Sequence, residues 1–266
     1  MSQKIKAPND KNRSFLWGIV ALVVICVVFI GFMVFNGRNA NSDELKPADV
    51  SFSVSQKDGI VSLRAEDEAE DVPNVEVFED YSCHYCAELT EVDSDSMQKA
   101  VEDGKMNVDI RTVNFLDNGN NPSSTRGGVV ALAIADTGDA GAFWAFHEKA
   151  FGDQSTVARD WDYEDFANAA EQLGVDSEVV DSIRDESVVD KYKPQLELNT
   201  EELNKRMDGQ AATPALYVDG QSLEIGRDPQ NPEKMKDWVP DVIGRDEADA
   251  PKESGAATET ESSDSE

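Results

Sequence analysis

The sequence predicts an α/β fold in which a small sheet is interrupted by an all-helical insertion. Three observations carry this: alternating apolar and polar residues at 50–65, 74–78 and 106–115, helical periodicity between 123 and 207, and a return of strand signals at 215–225. A period of two marks a half-buried strand, whereas recurrence at i, i+3 and i+4 marks a helix face.

In chain order, residues 50–65 (VSFSVSQKDGIVSLRA) alternate around Lys57-Asp58-Gly59 and read as a hairpin. Residues 74–78 (NVEVF) form a short strand, followed by a helix over about 83–102 and a strand at 106–115 (MNVDIRTVNF). The turn-rich 117–122 (DNGNNP) ends that strand. Ser123 or Ser124 can then cap a helix over 125–136; further helices are expected at 142–151, 163–173, 178–184 and 188–207, broken at Gly138, Gly152 and Gly174. Pro194 fits the last of these only near its first turns or as a kink. Beyond Gly209, residues 215–218 (ALYV), Asp219-Gly220 and 223–225 (LEI) read as a second hairpin, and 232–243 as a closing helix. No internal repeat is present.

With 24 Lys+Arg against 54 Asp+Glu, the net charge of −30 excludes binding to nucleic-acid backbones, which requires clustered cations. Anionic lipid headgroups are an equally poor partner for the bulk of the chain. The 39% hydrophobic content is enough for a core. Residues 15–35 (FLWGIVALVVICVVFIGFMVF) are an uncharged apolar run. As a helix this run spans roughly 32 Å, enough to cross a bilayer once. Lys4, Lys6, Lys11 and Arg13 precede it against Asp10 alone, so the N-terminus is expected in the cytoplasm and everything after Asn36 outside. A cleaved signal peptide has a shorter apolar core and a small-x-small site, which Phe35-Asn36-Gly37-Arg38 does not supply. Cys26 lies within the run after the bulky Ile25 and reads as a lipid-facing bystander.

The expected organisation is a cytoplasmic N-terminus (1–14), a transmembrane anchor (15–36), a stalk (37–49), a sheet domain in two parts (50–116 and 208–244) around the helical insertion (117–207), and a disordered acidic tail (245–266). Outside the membrane only Cys83 and Cys86 remain.

Those two cysteines form a C-x-x-C where a strand gives way to a helix. The first sulfur then lies over free N–H groups and the positive end of the helix dipole, which stabilise a thiolate. The second lies one turn later, placed to close a disulfide with the first. His84 offers a neighbouring cation, while Glu79, Asp80, Glu88 and Glu91 oppose ionisation. Two other readings stay open. A structural disulfide across so short a loop constrains the unfolded chain little. A closed zinc site needs four ligands, whereas the exported chain adds only His84 and His147. His147 itself, among Phe143, Trp144, Phe146 and Phe151, reads as a packed, satisfied imidazole; Trp161 and Tyr163 read as packing residues or groove walls.

The pattern F-x-D-[FY]-x-C-x-[FY]-C at 78–86, the string AFWAFHEKAF at 142–151 and ATPALYVDG at 212–220, in that order, resemble the DsbA-like branch of the thioredoxin superfamily over about residues 75–244. The resemblance implies a thioredoxin fold split by a helical domain. It further implies that Cys83 is the attacking thiolate, Cys86 the resolving thiol, and Pro214 a cis residue packed against them. Thr213 would pair with an extended substrate beside Cys83, with Tyr85 also at the substrate surface. His84 stands where the family usually has Pro, and Tyr85 where its strong oxidase has His. That oxidase's buried proton-relay Glu aligns with Val77. The dipeptide between the cysteines tunes the potential, so the direction of the reaction is open.

The first expectation is therefore a membrane-anchored extracytoplasmic thiol-disulfide oxidase. It would act on reduced exported proteins, be reoxidised by a quinone-linked membrane partner, and require neither cofactor nor metal. A reductase or isomerase, a module carrying Cu(I) or zinc on Cys83, Cys86 and His84, and a chaperone-like binding role are the alternatives.

Overall fold

The computed structural model describes residues 44–67, 71–117 and 121–249. The expected anchor, cytoplasmic N-terminus, most of the stalk and the tail beyond Asp249 lie outside the described residues. Among the described residues, no helix is long and apolar enough to cross a membrane.

Two Asp-Gly turns organise the sheet edges. β1 (Phe52–Lys57) and β2 (Ile60–Ala65) pair antiparallel across Asp58 and Gly59, whose φ values of 52° and 82° are the left-handed pair that a two-residue hairpin requires. Gly59 is also sterically required, since a Cβ there would lie 2.9 Å from Gln195 Cβ. β5 (Ala215–Val218) and β6 (Gln221–Leu223) repeat the device with Asp219 and Gly220 at 49° and 79°. The second hairpin is shorter than its sequence suggests, with β6 ending at Leu223 instead of continuing to Ile225. Opposite Ile225 the ladder meets Pro214, which has no N–H to donate.

The central strands are β3 (Asn74–Glu79) and β4 (Asn107–Thr112), parallel to each other, giving the order β1-β2-β4-β3-β5-β6. Their crossover is α1 (His84–Glu102). Alternation along β3 divides the sheet's two faces. Glu76 and Phe78 point to one face, where Phe78 packs with Val113, Leu203 and Tyr217, and Glu76 receives Arg206 at 2.6 Å and Arg111 at 2.7 Å. Val75, Val77 and Glu79 point to the other.

The helical block comprises α2 (Ser123–Ala135), α3 (Ala140–Gly152), α4 (Gln154–Asp160), α5 (Tyr163–Gln172), α6 (Ser177–Arg184) and α7 (Ser187–Arg206). Neither Ser123 nor Ser124 caps α2. Asp117 does this instead, accepting from the Ser124 N–H at 2.8 Å and the Thr125 hydroxyl at 2.5 Å. α4 is an extra helix that begins directly after the break at Gly152. α7 runs through Pro194 and turns its C-terminal half onto the sheet, where the Asn199 amide donates to the carbonyls of Gly59 and Thr112. Trp161 packs edge-on against Phe166 at 5.2 Å, and Tyr163 opens α5 half-buried.

The closing helix α8 (Val239–Asp249) starts later than its sequence suggests and reaches past residue 245. Residues 226–237 instead fold into a loop bridged at Arg227 and Met235, and Asp237 accepts from the Val239 N–H at 3.0 Å to begin the helix, with Pro240 in its first turn.

Candidate active site

β3 delivers the cysteines to the mouth of α1. After Glu79 the chain turns, with Asp80 accepting from the Ser82 N–H through its carboxylate at 2.8 Å and from the Cys83 N–H through its carbonyl at 2.8 Å. Cys83 is thereby left in extended backbone (φ −82°, ψ 115°) as the N-cap of α1, and its carbonyl accepts from Cys86 and Ala87. Both cysteines are free thiols; Cys83 retains 7% exposure and Cys86 only 2%.

The antiparallel pairing of β3 with β5 matches Phe78 to Ala215, so the chain before Ala215 runs alongside the turn that carries Cys83. The Thr213-Pro214 bond there is cis, and the Cys83 thiol donates to the Thr213 carbonyl at 3.2 Å. Residues 130 positions apart are thus in contact.

The two sulfurs differ sharply in their surroundings. The Cys83 thiol is lowered to about 6, chiefly because the Cys86 thiol donates to its sulfur. Burial opposes this, while the backbone N–H groups of Cys86 and Tyr85 add to it. Burial, reinforced by the hydrogen bond to Cys83 and its charge, pushes Cys86 well above the ordinary thiol range. Burial also raises Asp80 to about 7 against hydrogen bonds from the Ser82 and Leu116 N–H groups, and the charge of Cys83 raises it further.

His84 and Tyr85 lie on the outside of this turn. The His84 ring is exposed and meets Glu88 one helical turn on at 3.2 Å, so the neighbouring cation that the sequence suggests for Cys83 is directed to a carboxylate instead. Tyr85 is 52% exposed at the rim. Beside His84 runs a groove of about 420 Å³ whose walls include Glu88, Glu91, Glu148 and Phe151.

Sequence reasoning missed a second polar cluster behind the cysteines. Glu79 and His147 meet at 3.0 Å between Oε2 and Nε2, both buried. The imidazole is therefore buried as expected but only half satisfied, because its Nδ1, like Glu79 Oε1 and the Tyr81 hydroxyl, has no hydrogen-bond partner. Burial would lower the His147 pKa, but the charge and hydrogen bond of Glu79 raise it overall. The signal that could have located the pair was the period of two in β3, which puts Glu79 on the buried face of Val75 and Val77. Val77 is a buried valine on that face. Among the described residues, no three His, Cys, Asp or Glu side chains gather to hold a metal ion.

The fold and this site define a class. A family model described as thioredoxin matches residues 67–241. The MdbA protein of Corynebacterium diphtheriae, a thiol-disulfide oxidoreductase, is similar at 30% identity with a TM-score of 0.65, over 75% of this chain and 95% of its own. MdbA of Corynebacterium matruchotii is similar at 32% identity and TM-score 0.63, over 67% and 89% respectively. Reduced DsbA of Mycobacterium tuberculosis, at 22% identity and TM-score 0.54 over 70% of this chain and 93% of its own, shares the fold. No curated protein matches the sequence. The chain belongs to the thioredoxin family, and within it is a DsbA-like protein disulfide oxidoreductase.

Proposed function

We propose that this protein is a membrane-anchored extracytoplasmic oxidase that transfers its Cys83–Cys86 disulfide to reduced exported proteins. A client thiolate attacks Cys83 Sγ, the Cys83–Cys86 bond breaks, and Cys86 departs with the electron pair. The client's second thiolate then attacks its own sulfur in the mixed disulfide and releases Cys83 as a thiolate. The client loses two electrons and two protons; the enzyme dithiol passes the electrons to a quinone-linked partner in the membrane.

The observation that carries this reading is the asymmetry of the pair. Cys83, at about 6, is a good leaving group and stays ionised at neutral pH, whereas Cys86 is buried and held as a thiol. A reduced form stabilised in this way makes the couple oxidising. Thr213 and Pro214, beside Cys83, would seat the client in extended form, with Tyr85 at the rim. The apolar run 15–35 supports the anchor, and the cations before it support an outward-facing domain.

Replacing either Cys83 or Cys86 with Ala removes the disulfide that is the oxidant and is expected to abolish refolding of a reduced, disulfide-containing client. Full activity in Cys83→Ala would refute the reading. In cells the full chain is expected in the membrane fraction, with Cys83 open to an impermeant thiol reagent. Equilibration with glutathione decides the direction: a potential near about −120 mV fits an oxidase, and one near about −270 mV a reductase.

A further inference from the structure

Glu88 and Glu91 stand on the N-terminal turns of α1, where their charge opposes a thiolate at the mouth of the helix. Five and eight residues beyond Cys83, they lie about 7.5 and about 12 Å further along the helix axis. The screening length at 0.1 M salt is about 10 Å, so Glu88 acts on Cys83 within it and Glu91 at its edge.

Both acids are met from the C-terminal part of the chain. Arg227 Nη1 lies 3.1 Å from Glu88 Oε2, and Lys234 Nζ lies 2.8 Å from Glu91 Oε1, although 139 and 143 positions separate them in sequence. Exposed pairs of long side chains contribute little to stability. Here, however, a loop folded by its own bonds places the two cations. The Asp228 N–H donates to the Lys234 carbonyl at 3.1 Å, the Lys236 N–H to the Gly226 carbonyl at 3.0 Å, and Arg227 bridges antiparallel to Met235. The Arg227 guanidinium also donates to the Glu233 carbonyl at 3.1 Å, so the loop itself orients it. Just beyond the loop the buried Trp238 indole donates to Asp93 at 2.6 Å. Residues 227, 234 and 238 thus meet residues 88, 91 and 93 in the same order, as a strap laid along α1.

We propose that this strap compensates charge at the active site: Arg227, and Lys234 to a lesser degree, cancels the field of the α1 acids at Cys83 and keeps the disulfide oxidising in a chain of net charge −30. This rests on the exchange reading above, in which an ionised Cys83 makes the couple oxidising. The other titratable groups around Cys83 are Asp80 before it, Cys86 one turn on, and His84, whose ring shares Glu88 at 3.2 Å. Arg227 and Lys234 act through Glu88 and Glu91, as positioning residues for the charge balance.

The test compares the full-length protein with Arg227→Gln, Glu88→Gln and the double variant. It reads the Cys83 thiolate absorbance across pH and the equilibrium constant with glutathione, in low salt and at about 1 M salt, where the screening length falls to about 3 Å. In low salt Arg227→Gln is expected to raise the midpoint by about half a pH unit, a roughly threefold change, and to make the couple less oxidising. Glu88→Gln is expected to lower the midpoint, the double variant to restore it, and Arg227→Lys to leave it unchanged. All differences are expected to vanish at high salt. Shifts that persist there would reveal a packing role and overturn the assignment, as would folded variants with the wild-type midpoint in low salt. Should Arg227→Gln not fold, Glu88→Gln alone decides by the same outcomes. A wild-type Cys83 that titrates at about 8.5 would overturn the exchange reading instead.

Discussion

Asp80 and Cys83 ionise in turn beside one another. Asp80 is fully buried, and that burial raises it to about 7, with the charge of Cys83 a smaller cause, whereas Cys83 ionises near 6. Asp80→Asn keeps an acceptor for the Ser82 N–H and replaces a group that is still protonated where Cys83 ionises. The Cys83 thiolate, followed by its ultraviolet absorbance, is therefore expected to form at the wild-type pH, near 6, in this variant; a clearly lower midpoint would contradict that order of ionisation. Individual residues also show where sequence reasoning reaches its limit. The C-x-x-C spacing identifies Cys83 and Cys86 because two sulfurs one helical turn apart can do little else so well. Glu79 and His147 are not legible in this way. Their meeting depends on which strand face packs under which helix, and a single sequence does not encode that. His84 is adjacent in sequence, and its exposed ring meets the Glu88 carboxylate one helical turn on, a contact that its neighbourhood in the chain does not announce.

Among the elements, α2 constrains the cysteine turn most closely. A Cβ at Gly127 would lie 2.7 Å from Tyr81 Cβ, and one at Gly128 would lie 2.8 Å from Leu196 Cδ1. Tyr81 is two residues before Cys83 and stacks on Phe151 of α3 at 4.7 Å, so it cannot easily yield. Gly127→Ala is accordingly expected to destabilise the protein by about 1–3 kcal/mol in urea unfolding. An unchanged midpoint would show that the turn is softer than this contact implies. The Asp-Gly hairpins were legible because their turns demand left-handed backbone at two successive residues. The start of α8 was not, because backbone bonds between residues 226 and 236 hold that segment as a loop where its composition alone permits a helix.

Across the whole molecule, the sheet order brings β3, α1 and β5 together, so that Cys83, Cys86 and Thr213 meet although far apart in sequence. Class and architecture were readable from periodicity and motif order; the depth of burial behind the cysteines was not. The opposite shifts of the two thiols link the redox state to stability. Cys83 is depressed in the fold relative to an unfolded thiol at about 8.5. Its ionisation therefore stabilises the reduced protein fully above that unfolded value, and the contribution is lost as pH falls through about 6. Cys86, shifted the other way, withdraws stability only above the unfolded thiol range. The oxidised protein has neither titration. The most direct measurement is the thiolate absorbance of the reduced protein across pH, with Cys83→Ala as the blank. A single thiolate with a midpoint near 6 is the result this account predicts, and a midpoint at or above about 8.5, that of an ordinary thiol, would contradict it.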